Sequence, residues 1–305
     1  MITQRAQTTV EIEAVEGTAE TLVAADAILA FNHKFEPSIE MHKRYPKKAS
    51  LSPVLSLPGV RSGKMSFEVE MTGGAAGAAI HFSDLIKACG VGETLVASTS
   101  ATYKPISTAI PAVTIGRHMD GIRQRIWGAR GSAKLVLEIG KPGIFTFEMQ
   151  GADFDRADEA LLTGLSLSTT VPPVFQGATL TIDSYQAILS KVEIDFGNKL
   201  AARPDARSSG GTKSVLITGR EPTISFDPED VLVATKDFFA TWRAGTLVAF
   251  SAAIGSTAGN IHTITAPKVQ YQEISQTERD GIAALEIKAL LCENTGDDEW
   301  VWAIT

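Results

Sequence analysis

Cysteine is almost missing from this sequence: Cys89 and Cys292 are the only two in 305 residues. So sparse a pair excludes a disulfide framework and points to buried free thiols. No apolar run is long enough to span a bilayer. The opening Met1-Ile2-Thr3-Gln4-Arg5 lacks the apolar core of an export signal. An excess of basic charge is missing too. The formal net charge of −7 argues against a general cationic grip on nucleic acid, though not against a surface that nucleic acid slides past. Catalytic signatures are equally scarce. The five histidines show no metal-ligand spacing such as His-Glu-x-x-His, and His33 reads as a partly buried polar residue. No Gly-x-Ser-x-Gly elbow occurs, and neither cysteine has a recognisable histidine partner motif. The run Gly73-Gly74-Ala75-Ala76-Gly77 lacks the Gly-Lys-Ser/Thr ending of a phosphate loop. Glu11/Glu13 and Glu68/Glu70 sit at strand spacing, which places each pair on one face as a solvated sheet commonly does. The sequence therefore argues against an enzyme and assigns no catalytic, metal or cofactor-binding residue; no cofactor is expected.

What the chain does have is alternation and repetition. Hydrophobic residues make up 44% and charged residues 21%, enough for each half to bury a core. Ala27-Ile28-Leu29 leads into Phe31, His33 and Phe35, a basic loop, and a return through Met65-Ser66-Phe67-Glu68. Roughly 160 residues later Ala187-Ile188-Leu189 leads into Val192, Ile194 and Phe196, a Gly-, Ser- and Arg-rich loop, and a return through Ile224-Ser225-Phe226-Asp227; a constant offset of this kind marks internal duplication. Ser83 to Gly90 reads as a short helix capped by Ser83 and ended by Gly90, and Thr235 to Gly245 as its counterpart. Later strands are matched by order: Leu95-Val96-Ala97 with Leu247-Val248-Ala249, Val113 and Ile115 with Val269 and Tyr271, and Phe145, Phe147 and Met149 with Trp300, Trp302 and Ile304. Asp120-Gly121 signals a hairpin. The expected class is mainly β, with two tandem β-sandwich or barrel domains, each with one short flanking helix. The expected boundaries are an N-terminal arm at 1–25, a first domain at 26–151, a linker at 152–177 holding Pro172-Pro173, and a second domain at 178–305. The long connection after Phe35 carries Lys43, Arg44, Lys47, Lys48, Arg61 and Lys64. It reads either as a solvated loop or as a surface that meets an acidic partner.

These pieces resemble the major tail tube proteins of long, non-contractile tailed bacteriophages of the siphovirus type. The resemblance is carried by Val10-Glu11-Ile12-Glu13 through Gly17-Thr18 and by Asp120-Gly121-Ile122 running into Gly128-Ala129-Arg130-Gly131-Ser132. Gly140-Lys141-Pro142-Gly143 with Phe145-Thr146-Phe147-Glu148 adds to it, as do Lys191-Val192-Glu193-Ile194-Asp195-Phe196 and Gly219-Arg220-Glu221-Pro222. It covers nearly the whole chain and rests on order and spacing, without a single decisive motif.

The resemblance implies a structural virion protein, assembled in the bacterial host cytoplasm. Such a protein builds rings of six tube domains joined into a continuous inner β-barrel, and the rings stack into the tail tube through which DNA passes during ejection. With two domains in one chain, it implies homotrimeric rings of pseudo-six-fold symmetry. The expected partners are other copies of the chain, the tape measure, tail terminator and distal tail proteins, and DNA in transient, non-specific passage; no membrane is expected. Lys43, Arg44, Lys47, Lys48, Arg61, Arg203, Arg207, Lys213 and Arg220 become expected inter-ring contacts, set against acids such as Asp227, Glu229, Asp230 or those of the linker. Glu68, Glu70, Glu193 and Asp195 become expected lumen-facing acids, because an acidic channel keeps phosphates mobile. The alternatives are a distal tail or connector protein that forms one ring, a tandem β-sandwich that binds carbohydrate or protein, and a hydrolase with dispersed catalytic residues.

Overall fold

The computed structural model describes residues 2–305. The first half runs β1 (Ala6–Ile12), β2 (Ala27–Ile28), β3 (Phe31–His42), β4 (Leu57–Glu70), α1 (Ser83–Ala88), β5 (Val91–Val96), β6 (Ser100–Pro105), β7 (Val113–Met119), β8 (Ile122–Glu138), β9 (Ile144–Gly151) and β10 (Asp153–Asp158). The second runs β11 (Thr179–Ile182), β12 (Lys191–Asp195), β13 (Asn198–Pro204), β14 (Thr212–Arg220), β15 (Thr223–Phe226), α2 (Phe238–Ala244), β16 (Val248–Ile254), β17 (His262–Arg279), β18 (Ile282–Leu291) and β19 (Val301–Ile304). The chain is mainly β, as its alternation implies.

One continuous antiparallel sheet crosses both halves in the order β3–β4–β9–β8–β12–β15–β18–β17. Period-2 alternation gives it two unlike faces. Met65, Phe67 and Val69 of β4, Phe145 and Phe147 of β9, and Val192 and Ile194 of β12 point into the core. Their neighbours Ser66, Glu68, Glu70, Glu193 and Asp195 stay partly exposed on the other face. On the core side, β1, β7 and β10 join the N-terminal part of β8, and β11, β16 and β19 surround the N-terminal part of β17. β8 and β17 are long because each serves both layers. β8 turns between them at Gly128, whose φ of +59° suits glycine, and a Cβ there would lie 2.9 Å from the Ala152 Cβ.

The halves pair their strands in the same order. β4–β9–β8–β7–β1 is followed step for step by β15–β18–β17–β16–β11, and β10 sits on β8 as β19 sits on β17. An irregularity repeats as well. Val113 opposes Ala129 while Ile115 opposes Ile126, and Val248 opposes Val269 while Phe250 opposes Ala266. A bulge at the same place in two hairpins is a sharp registration mark. Carried through the pairings, it makes Met149 equivalent to Ala289 and Met65 to Ile224, and so returns the offset that the sequence shows between Phe67 and Phe226.

That registration corrects the later matches. Trp300-Val301-Trp302 takes the place of β10, not of β9; β18 stands where β9 does; and β16 corresponds to β7, not to Leu95–Ala97. The cause is the β5–β6 hairpin, which follows α1 but has no counterpart after α2, so matching by order slips by a strand. The stretch read as a short strand or arm at Thr8–Val15 is β1 in part, fully paired with β7 and burying Thr8, Thr9 and Val10. The acidic start of the expected linker is β10. The helix caps differ too. Asp237 caps α2 through the Ala240 N–H at 2.7 Å, and Gly245 ends that helix at φ +64°. The cap of α1 is Phe82, whereas the Ser83 hydroxyl accepts from Lys87 Nζ at 3.4 Å.

The core is shared between the halves. Trp302 of β19 lies 5.1 Å from the Tyr103 ring, 5.2 Å from Phe145 and 6.3 Å from Phe82, all residues of the first half. Its indole N–H donates to His262 Nδ1 at 3.2 Å. An indole can only donate, so Nδ1 must be unprotonated and His262 neutral. Burial holds His262 at a pKa of about 4, consistent with that tautomer.

Candidate assembly interface

The long sheet ends in two open margins. Among the described residues β3 pairs only with β4, and β17 from Ile274 to Arg279 pairs only with β18. Unpaired strand edges invite pairing with another chain unless they are covered or blunted. Between these margins lies a joint of the same kind, already closed within the chain: β8 to β12. There Glu138 opposes Lys191, Leu137 opposes Val192, Val136 opposes Glu193, Leu135 opposes Ile194 and Lys134 opposes Asp195. Leu135, Leu137, Val192 and Ile194 are buried on the core side. On the other face Glu193 accepts from Lys134 Nζ at 2.5 Å and also pairs with Lys191. These two ammonium groups outweigh the desolvation that raises its pKa and hold it below the usual carboxylate value.

The four acids expected to line a channel share this outer face. Glu68 accepts from Asn32 Nδ2 at 2.7 Å, and Asp195 accepts from the Gly197 N–H at 2.8 Å. Glu70 and Glu193 lie on the same side, as the alternation of β4 and β12 requires. Acids outnumber bases on that face: Glu36, Glu138, Glu148, Glu273 and Glu286 join these four against Lys34, Lys64, Lys134, Lys191, Arg279 and Lys288.

The basic residues divide into two groups. Lys43, Arg44, Lys47 and Lys48 lie exposed in the connection between β3 and β4, with no ion pair among the described residues. Arg203 and Arg207 are exposed as well; Arg203 lies 3.7 Å from Glu16, and Arg207 pairs with its neighbour Asp205 at 3.2 Å. Lys213 is half-buried beneath the turn of Gly17. Arg61 and Arg220, by contrast, are structural. Arg61 Nη2 binds Asp153 at 2.7 Å, and Arg220 Nε binds Glu299 at 2.9 Å. The strand registration makes these the same interaction in the two halves, a tie from the β3–β4 or β13–β14 ribbon to the first residue of β10 or to the residue two before β19. The acids expected opposite the basic loops are also engaged. Asp227 and Glu229 pair with Arg279 at 3.0 and 3.1 Å, and Asp155 and Glu159 pair with Arg123 and Arg125. Asp230 is exposed.

Sequence reasoning missed the two ribbons. The β13–β14 ribbon lies over the first half: Arg130 donates to the Val215 carbonyl at 2.5 Å, and Asn198 Nδ2 donates to the Cys89 and Gly131 carbonyls at 2.7 and 2.9 Å. The outer part of β3–β4 has no such cover, leaving Ile39, Met41, Leu57 and Val60 exposed, with Tyr45, Leu51 and Leu55 beyond them. The apolar content of that loop was the available signal, since singly exposed hydrophobics are ordinary but a cluster is not. No group of three or more metal-ligating side chains occurs among the described residues, and no helix is long and apolar enough to cross a membrane. In comparisons with known proteins, a family model described as "Phage tail tube protein" matches residues 12–289. No curated protein matches the chain.

Proposed function

The chain belongs to the phage tail tube protein family, and from that premise we propose that three copies close into a ring and that rings stack into a tube that lets DNA through. The family makes it a structural component of a virion tail. The observation that carries the finer reading is the sheet β3–β4–β9–β8–β12–β15–β18–β17, which contains one four-strand unit twice and stops at two unpaired edges. Eight antiparallel strands are an even number, so β17 of one copy meets β3 of the next in the antiparallel sense used at β8–β12. Head-to-tail pairing of this kind closes into a ring when the rotation permits. Three copies would form a barrel of about 24 strands, wide enough for an aqueous channel.

In this reading the two halves act as tandem tube domains, their shared core notwithstanding, and one chain does the work of two subunits. The face carrying Glu68, Glu70, Glu193 and Asp195 lines the channel. Its acid excess repels phosphate, so DNA slides without the counterion release that would hold it. The exposed β3–β4 tip with Lys43, Arg44, Lys47 and Lys48 reaches the adjacent ring, and Arg203, Arg207 and Lys213 contribute at the other ribbon. Other tail proteins that start, measure and end the tube are further partners. Negative-stain microscopy of the purified protein tests the proposal. Long hollow polymers are expected; single rings that never stack would favour a connector protein, and a monomer at high concentration would refute assembly.

A further inference from the structure

The proposed ring leaves open which residues meet where two copies join, and the internal joint answers that. The bulge-anchored registration makes β3 the counterpart of β12 and the end of β17 the counterpart of the end of β8. Glu193 and Ile194 correspond to Lys34 and Phe35 through their partners Ser225 and Ile224 on one side and Ser66 and Met65 on the other. β3 is irregular between Phe31 and Lys34, and His33, whose ring lies 5.8 Å from Phe67, takes the place of Val192. A second irregularity, between Tyr271 and Glu273, shifts the end of β17 by one residue, so that Ile274 stands where Ala133 does, opposite Ile287 and Phe147 respectively. Leu135 and Leu137 then correspond to Gln276 and Glu278. Resting on the ring proposed above, we infer that the seam between copies repeats the β8–β12 pairing: His33 against Glu278, Lys34 against Thr277, Phe35 against Gln276 and Glu36 against Ser275.

Burial supports this assignment. Leu135, Leu137, Val192 and Ile194 are buried by their joint, whereas of their counterparts Gln276 and Glu278 are exposed and His33 and Phe35 only half covered. These are the positions that a second copy would cover. The seam is also chemically milder than the joint. Its core side places a carboxylate beside an imidazole and an amide beside a phenyl ring, where the joint places four aliphatic side chains. An edge of this character stays soluble in a single chain and is satisfied by a partner. The same equivalence lays the β3–β4 ribbon over the neighbour's second half, as β13–β14 lies over the first. It carries Ile39, Met41 and Leu57 toward α2, where Phe239 and Trp242 are exposed.

The test is disulfide trapping in full-length protein with Cys292→Ser as background, since Cys89 is buried. Directly opposed residues have Cβ atoms about 4.5–5.5 Å apart, close enough to bridge with small movement. Lys34→Cys with Thr277→Cys should give, on oxidation, a covalent ladder that stops at the ring. Lys34→Cys with Gln276→Cys, which face opposite sides, should give at least tenfold less. Rings that form but crosslink best through Lys34→Cys with Ser275→Cys or with Arg279→Cys would overturn the register and leave the ring standing. Rings with no crosslink in any pair would overturn the seam. A background protein that forms no rings would overturn the assembly itself.

Discussion

The β8–β12 joint and the β17 and β3 margins are built from the same four-strand unit, yet they carry opposite chemistry. At the joint, Leu135 and Leu137 oppose Ile194 and Val192 and are buried at once, so folding a single chain forms it. At the margins, Gln276, Glu278 and His33 stand in the equivalent places. In the proposed ring, duplication would remove half of the seams from assembly: fused units can use an apolar joint, and free edges cannot without risking uncontrolled association. The two ribbons repeat the contrast. β13–β14 is fastened by Arg130 and Asn198, and the backbone N–H of Arg61 donates to the Gly210 carbonyl at 3.0 Å. The far end of β3–β4 is fastened by nothing in its own chain among the described residues.

The largest effect should come from the unfastened ribbon. Replacing Pro46–Leu55 with a short Gly-Ser turn should leave the thermal midpoint nearly unchanged and abolish tubes while rings persist, as seen by electron microscopy. Tubes of normal length would break the contrast between the ribbons. Next, Leu137→Ala at the joint should cost about 2–5 kcal/mol in urea unfolding, because a buried side chain leaves a cavity. Glu278→Ala at the margin should change chain stability by no more than about 0.5 kcal/mol. Equal losses would erase the distinction.

A pH series sharpens it further. Burial holds His33, His81 and His262 at about 4, against 6.5 when free. The unfolded chain therefore binds more protons between those values, and the stability that these groups contribute is complete above about 6.5 and lost as pH falls toward 4. Burial of Glu11 and Glu13 raises their pKa and works the other way near the bottom of that window. The thermal midpoint should fall from pH 7 to pH 5, and His262→Gln, which keeps a neutral side chain in place, should flatten part of the slope. The smallest effect belongs to Glu193→Gln at the joint's partly exposed face. It should cost roughly 0.5 kcal/mol, since half-exposed ion pairs contribute little.

Much of the fold could be read from residue order. Met65, Phe67 and Val69 alternating with Ser66, Glu68 and Glu70 gave β4 and its two faces, and the repeat of Phe67 and Phe226 gave an offset that the strand pairings reproduce. The later strands were misread because β5–β6 is an insertion, and a pattern matched by order cannot see one. Asp120-Gly121 and Asp280-Gly281 both form tight turns with positive φ, yet they join non-equivalent pairs, β7–β8 and β17–β18. Of the expected interface, the exposed Lys43, Arg44, Lys47 and Lys48 keep their place in the proposal. Arg61 and Arg220 do not stand free, because an arginine near a loop looks the same in sequence whether or not a carboxylate such as Asp153 or Glu299 folds against it. The margins themselves were invisible: an edge strand and an inner strand alternate alike until the partners are counted.

The central claim is that β17 of one copy continues into β3 of the next as β8 continues into β12. A symmetry-averaged density map of the assembled tube measures this directly. The account predicts three chains per ring, an unbroken inner sheet, and Lys34 opposite Thr277 at each seam. Six chains per ring, or a gap between β17 and β3, would contradict it.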